Sequence, residues 1–486
     1  MRMAEPDELT CRDLLPQLPS KEILQQLVEM YMTAGTWIWS YLDEVELKRR
    51  VDRFVEEDEL DDMTLATFFA ICGTGLYYTP WPHNILNAFP EPAMVTGDRF
   101  LALSTEVLER RNSDWIHQPT LELLELHLLM AHYYSEDIYS LASKMIGIAT
   151  ALGLHRDPEH WCIPPEVASR RRWAWWNVLS FERYHCILLG RPPSISNNSF
   201  DTQFPMPDFQ QPGQLAADDS ILPYLCIFRY ALLVGQILED LHCVKPMTFE
   251  TISAHDQALL DWQNTWPSDL RLDEFGIAYA MSRNASENMV RRGVQCMYLY
   301  GLCNLTRLCI NRPTIITTAK EAAAAHDRMA GAAAKLVALH ARATPDYVNN
   351  AVLTVPGHLG HAPYNIFASA MFYTHQLLSN PDQPGAAHFR SNLSEAISTF
   401  GKVREMPIAD RCFKILVACH PPPETDSEEN QQVRRQRIAA VRRVTFPYVK
   451  LADVADIEHI YPVTGEGDIA PITAKPEHEQ RSSLVH

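Results

Sequence analysis

The sequence predicts an all-α protein, a large multi-helix array. Two observations carry this. Apolar residues recur at three- and four-residue spacing through most of the 486 residues, and no stretch shows the apolar–polar alternation of a half-buried strand. Composition fits a large core, with 47% hydrophobic and 21% charged residues. At about 100–200 residues per domain the length alone suggests about three domains. Stacked helix pairs relax that limit, because each layer extends the same core.

Residues 1–17 are expected to be a flexible lead. Ser20 is placed to cap a helix whose residues Ile23, Leu24, Leu27, Val28 and Tyr31 share one face. Helical patterns recur near residues 44–57, 63–77, 98–111, 118–133, 136–152, 165–189, 221–243, 252–265, 284–311, 317–342, 364–380, 388–404, 409–419 and 431–444. Residues 191–219, rich in Pro, Asn, Asp and Gln, predict an ordered loop or an extended wrap. The organisation expected is one all-α domain over 18–420, an acidic mobile linker over 421–432, a C-terminal helical segment over 433–464 and a disordered tail over 465–486. No repeat of fixed period is visible.

The net charge is -18, from 42 basic and 60 acidic residues. A surface that neutralises nucleic-acid phosphates along the whole chain is not compatible with that balance. The densest basic cluster is Arg434, Arg435, Arg437, Arg442 and Arg443. Asp426, Glu428 and Glu429 just before it favour a solvated helix face; a nuclear-import signal or a phosphate contact is the sharper alternative. The 11 cysteines are scattered singly in apolar segments, which reads as reduced core thiols of an intracellular protein. No apolar run reaches the roughly 18 residues of a membrane span, so no membrane association is expected.

The most informative stretch is residues 135–207. Ser135, followed by Glu136 and Asp137, opens a helix with Ile138, Leu141, Ala142, Met145, Ala149 and Leu152 on its apolar face. Gly153 fits its left-handed stop. Leu154-His155-Arg156-Asp157-Pro158 follows. Pro164-Pro165 then starts a second helix in which Glu166 and Arg170 are four apart and can pair. Arg170-Arg171-Arg172 leads into Trp173-Ala174-Trp175-Trp176, with Val167, Ala174, Val178, Phe181, His185 and Leu188 on one face. Gly190 ends this helix, before Arg191-Pro192-Pro193. An arginine cluster buried on such a helix needs carboxylate or carbonyl partners, for which Asp157, Glu166 and Glu182 are candidates. Two roles are open. These residues clamp two helices and the Gly190 loop, or Trp175, Trp176 and Arg183 line a ligand cavity.

This order resembles the regulatory (middle-homology) domain of fungal zinc-cluster transcription factors. In that family a helix ends in Leu-Gly-Leu-His-Arg, a charged turn follows, and then come a Glu-x-Arg-Arg-Arg-x-Trp-Trp helix, an Asp-Arg pair and Gly-Arg-Pro. Leu152 through Arg156, Arg170 through Trp176, Glu182-Arg183 and Gly190-Arg191-Pro192 are the matching positions. Two departures are visible: Trp173-Ala174 stands between the arginines and the paired tryptophans, and Glu182 replaces the family's Asp. The resemblance extends from Leu18-Pro19-Ser20-Lys21-Glu22 to about residue 320, with helical continuation to about 450. It implies an all-α regulatory domain, a nuclear role and a protein partner.

Zinc-cluster factors also carry six cysteines in a basic stretch, whose thiolates share two zinc ions. Here only Cys11 precedes residue 72, and no Cys-x-x-Cys occurs. The chain is therefore expected to have no zinc-dependent DNA-binding module of its own and no metal or cofactor. A cluster encoded upstream would leave the same 486 residues. Enzyme signatures are poor: there is no Gly-x-Ser-x-Gly, His-Glu-x-x-His, phosphate loop or dinucleotide glycine pattern, and no catalytic residue is named. His358 and His361 read as a surface loop rather than ligands. The acidic run Glu56–Asp62 reads as a solvated helix–helix turn rather than a Mg²⁺ site, and His127 and His132 as packed or polar positions.

The expected function is a transcriptional regulator or co-regulator without its own DNA-binding domain. It would pair with a zinc-cluster factor or with a second copy, respond to a small-molecule effector, and control a secondary-metabolite gene cluster. The alternative is a helical domain repurposed as a biosynthetic enzyme or a small-molecule-binding protein.

Overall fold

The computed structural model describes residues 10–79, 83–111, 118–133, 138–205, 221–245, 247–282, 285–311, 319–349, 362–404, 407–421 and 428–444. Among the described residues there are sixteen α-helices and no strand. They are α1 (Lys21–Met30), α2 (Glu44–Glu57), α3 (Asp62–Tyr77), α4 (Ala93–Arg110), α5 (Leu121–Tyr133), α6 (Ile138–Ala151), α7 (Pro165–Leu189) and α8 (Leu222–Leu241). There follow α9 (Phe249–Asn264), α10 (Glu274–Ala280), α11 (Glu287–Ile310), α12 (Ala319–Asn349), α13 (Ala362–Ser379), α14 (Ala386–Lys402), α15 (Pro407–Ala418) and α16 (Glu428–Val444). The all-α array expected from periodicity is the fold. The short α10 and a π turn at Tyr31–Gly35 were not anticipated; each is too brief for a helical period to show.

The chain divides into two compact units. The first is residues 1–303 with 313–315 and 347–360; the second is 304–312, 316–346 and 361–486.

At the centre of the first unit is α3, which packs on α4, α1 and α5. It is apolar all round, with Leu65, Phe68, Phe69, Ile71 and Cys72 fully buried. Two glycines let its neighbours close in. A Cβ on Gly73 would meet the Gly97 carbonyl at 2.9 Å, and one on Gly75 the Leu27 carbonyl at 2.8 Å. Asp61 caps α3 by accepting from the Thr64 N–H at 2.7 Å.

The acidic run Glu56–Asp62 joins α2 to α3 with Glu56 to Glu59 exposed, as expected of a solvated turn, and only Asp62 departs from it. Asp62 is buried and accepts from the backbone N–H of Thr10 and Cys11, each at 3.0 Å. Those bonds fix residues 10–17, expected as part of a flexible lead, as a 3-10 turn over Arg12–Gln17 with Cys11 and Leu14 buried. Residues 10–17 are ordered because their partner lies about fifty positions away, out of sight of local composition.

Helix α8 is long and apolar enough to cross a membrane by length and composition alone, with a mean hydropathy of 1.3. Yet 72% of that window is buried inside the protein, and the helix packs on α7 and α9.

In the second unit α13 contacts α14, α15 and α16. Its core is apolar, built around Ile366, Tyr373, Phe389, Leu393, Phe400 and Leu416. Its buried polar groups are neutral: Asn365 faces His340 at 3.4 Å, and Asn392 donates to the Tyr373 hydroxyl at 3.2 Å. Helix α16 begins at Glu428, inside the acidic 421–432 stretch. It turns part of the basic cluster inward, since Arg434 donates to the Leu378 carbonyl at 3.0 Å and Arg437 to that of His420. Arg435 is exposed. The side chains of Arg442 and Arg443, and His358 and His361, lie outside the described residues.

Candidate functional site

Helix α7 organises the site. Pro165 sets its first turn, where a missing N–H costs nothing, and Gly190 ends it at φ +62°, a conformation that suits glycine. Its arginines fan out to three elements. Arg170 forks onto Glu125 of α5 at 2.7 and 2.6 Å and reaches Glu122 at 3.1 Å. Arg171 donates to the Leu152 carbonyl at the end of α6, 2.7 Å away. Arg172 forks onto Asp157 at 2.9 and 2.7 Å and meets Glu159 at 3.0 Å. Glu166, expected to pair with Arg170, is exposed instead, and so is Val167, expected on the apolar face. A first-turn carboxylate keeps its water, whereas the buried Glu125 has none and needs the guanidinium.

The segment after Gly190 wraps back over α7 and α8. Arg183 is fully buried; it pairs with Glu182 at 2.7 Å and donates to the Ile195 carbonyl at 2.6 Å and to Asn197 Oδ1 at 3.1 Å. Glu182 in turn accepts from the Ser194 N–H. Asn197 donates to the Leu232 carbonyl at 2.8 Å and lies over Gly235, where a Cβ would fall 2.2 Å from its Oδ1. Further along, Asp201 accepts from the Asp157 N–H at 2.8 Å and meets Arg156 at 3.3 Å. The His155 carbonyl accepts from the Asp201 N–H at 3.1 Å. Trp176 donates to the Gln203 carbonyl at 2.8 Å and its ring lies 4.5 Å from that of Phe204. Trp175 packs on Phe200 at 5.4 Å and on His155 at 6.3 Å. Arg191 and Pro192 begin the wrap; the Arg191 N–H closes the helix end on the Cys186 carbonyl at 3.0 Å, and the Pro192 carbonyl accepts from the Cys186 thiol. His155, Arg156, Arg170, Arg171, Arg172, Glu182, Gly190, Arg191 and Pro192 are thus brought together as one clamp.

Electrostatics follow from burial. Desolvation works to raise the Asp157 carboxyl, but the Arg172 fork and the N–H groups of Gln203 and Glu159 outweigh it and hold the pKa at about 2. Glu125 goes the other way: desolvation lifts it to about 7 against the pull of Arg170. On the same helix, His127 is buried with neither ring nitrogen bonded, and desolvation lowers its pKa to about 3, so the ring is neutral.

Beside the clamp lies a cavity of about 610 Å³. Trp175, Trp176 and Arg183 are packed into the clamp, while Trp173, one turn earlier on α7, faces the cavity with Ser169 and Arg170. Much of the remaining wall comes from distant segments: Thr36, Ser40 to Glu44, Glu125, Tyr224 and Arg291. Trp173 donates to the Ser40 carbonyl at 2.6 Å and meets the Tyr224 ring edge-on at 5.2 Å. Sequence reasoning missed these groups because they converge from four helices. One signal was present: Glu122, Glu125 and His127 interrupt the otherwise leucine-rich run Leu121–Met130. The volume suits a small organic molecule. Among the described residues, no three His, Cys, Asp or Glu side chains are grouped to hold a metal ion.

The family model described as "fungal specific transcription factor domain" matches residues 56–256, from the end of α2 into α9. The Thiamine repressible genes regulatory protein thi1 of Schizosaccharomyces pombe is 23% identical over 284 residues, covering 56% of this chain and 36% of that protein. The Equisetin cluster transcription factor eqxF of Fusarium heterosporum is 21% identical over 301 residues, covering 57% and 42%. The Fusarisetin A cluster transcription factor fsa6 of a Fusarium species is similar at 21%, covering 57% and 39%. The matched stretch spans less than half the length of each of these relatives. Residues 56–256, with the α7 clamp inside them, match the fungal specific transcription factor domain.

Proposed function

We propose that the chain is a transcriptional regulator that acts in the nucleus through a protein partner. The observation that carries this is the family match over 56–256, a region that contains the whole α7 clamp. Relatives named as regulators, two of them as transcription factors of metabolite clusters, support control of a secondary-metabolite gene cluster. No Cys-x-x-Cys occurs in the 486 residues, and the net charge is -18. DNA contact therefore comes from a zinc-cluster module outside these residues, which we place on a partner zinc-cluster factor, with self-association through exposed helix faces as the other arrangement. The reading as a biosynthetic enzyme draws no support from these relatives.

The test is to fuse the chain to a heterologous DNA-binding domain and to delete its gene. Regulation requires a changed reporter output from the fusion and loss of a coherent set of transcripts in the deletion strain. Unchanged transcripts with one accumulated intermediate would instead indicate an enzyme. The purified chain should not shift DNA by itself at physiological salt, and a sequence-specific shift would overturn the partner reading.

A further inference from the structure

The cavity beside α7 has a charge pattern that selects a ligand class. Four carboxylates line it, but three are engaged. Asp43 accepts from the Glu46 N–H at 2.8 Å, Glu44 pairs with Lys48, and Glu125 is held by the Arg170 fork. The fourth, Glu166, is exposed at the rim. Arg291 on α11 is different. It is half-buried, it lines the same cavity, and it meets no carboxylate or hydrogen-bond acceptor among the described residues.

A second feature favours negative charge at the same place. Ile221, the N-cap of α8, and Tyr224 in its first turn form part of the wall, and the N-cap carries no side-chain acceptor. A twenty-residue helix presents the positive end of its dipole there. The apolar part of the wall is aromatic. Trp173 and Tyr224 are fixed by their bonds to the Ser40 and Thr36 carbonyls, so both rings are held in place before a ligand arrives.

We infer that this cavity binds a small organic acid with a flat apolar body, its anion on Arg291 and the α8 N-terminus and its body against Trp173 and Tyr224. The inference deepens the regulator reading by naming the class of effector. It rests on that reading only for its consequence, because binding is measured without DNA or partner.

The experiment is calorimetric and fluorescence titration of the full chain with 2-naphthoate, 2-naphthamide and 2-naphthylamine at neutral pH. The acid should bind at least about tenfold more tightly than the amide or the amine, the scale of one charge-assisted hydrogen bond. Arg291→Gln should erase that preference and Arg291→Lys should retain part of it. Ser169→Trp, at an exposed position of α7 that lines the cavity, should block all three probes while circular dichroism stays unchanged. If Arg291→Gln does not fold, the Lys and Ser169 variants carry the test. Equal affinity for acid and amide, preference for the amine, or no heat and no quenching with naphthoate up to its solubility would each overturn the assignment. Loss of reporter output with naphthoate binding intact would instead sink the regulator reading and leave the site standing.

Discussion

The two units bury polar groups in opposite ways. The first places three carboxylate–guanidinium pairs beneath its surface, Arg172–Asp157, Arg170–Glu125 and Arg183–Glu182. In the second, the described buried polar groups are neutral amides, hydroxyls, imidazole and phenol, and the described ion pairs, such as Arg404–Asp410, are partly or largely exposed. Buried ion pairs are a poor source of net stability, because desolvation offsets their attraction. They are directional, however, and an unpaired member is very costly. The clamp therefore specifies where α7, the Asp157 turn and the wrap must sit, while the second unit depends on apolar packing.

All ten tryptophans lie at or before residue 266, within the first unit. Tryptophan fluorescence thus follows that unit, and circular dichroism follows both. The sharpest way to break the comparison is a pair of truncations. Arg172→Ala should cost about 3–5 kcal/mol by stranding Asp157, read as a lower fluorescence midpoint in urea. Replacing both partners, as Arg172→Met with Asp157→Leu, should recover only part of that loss, because the N–H groups of Glu159 and Gln203 lose their acceptor. Phe389→Ala should cost about 3–5 kcal/mol in the second unit through lost packing, read by circular dichroism. Identical shifts of both probes in both variants would show that the units unfold as one.

A smaller effect is expected in the first unit's core. Gly75→Ala drives a methyl against the Leu27 carbonyl, and backbone cannot swing aside as a side chain can. A loss of about 1–3 kcal/mol is expected, and an unchanged fluorescence midpoint would refute the close packing of α1 on α3.

Acid sensitivity separates the two kinds of buried group. Folded His127 has a pKa of about 3 against an ordinary 6.5, so its stability is complete above pH 6.5 and declines as pH falls towards 3. The slope is about 1.4 kcal/mol per pH unit. His340 does the same in the second unit, from 6.5 down to about 4. Asp157 adds a further loss only between 3.8 and about 2. His127→Leu should flatten the upper limb seen by fluorescence and leave the Asp157 limb in place. The smallest effect belongs to the surface: Arg404→Ala should cost less than about 1 kcal/mol in thermal melts, and less still in high salt.

Much of this was legible in the sequence. Pro165, the Arg–Trp run and Gly190 bound α7 at 165–189 as read from the chain, and Glu44–Glu57 likewise. Asp157 and Glu182 were named as partners and are partners. Local chemistry decides such features, because caps, stops and apolar faces act within one or two turns. The errors share one cause. Local spacing favours Glu166 over Glu125 as the partner of Arg170 because Glu166 sits four residues away, and local composition assigns Asp62 to solvent, whereas the fold pairs Arg170 with Glu125 and buries Asp62. Each depends on which side chain loses its water when distant segments meet.

The sequence by itself determined the all-α fold, the extent of α7 and the resemblance that its residues carry, since helical period and stop signals are properties of neighbouring residues. The tertiary structure alone decided which carboxylate each arginine holds, that Trp173 rather than Trp175 or Trp176 faces the cavity, and that Arg291 stands there without an acidic partner among the described residues. Desolvation ranks those alternatives, and it is set by what packs over a side chain rather than by what adjoins it in the chain.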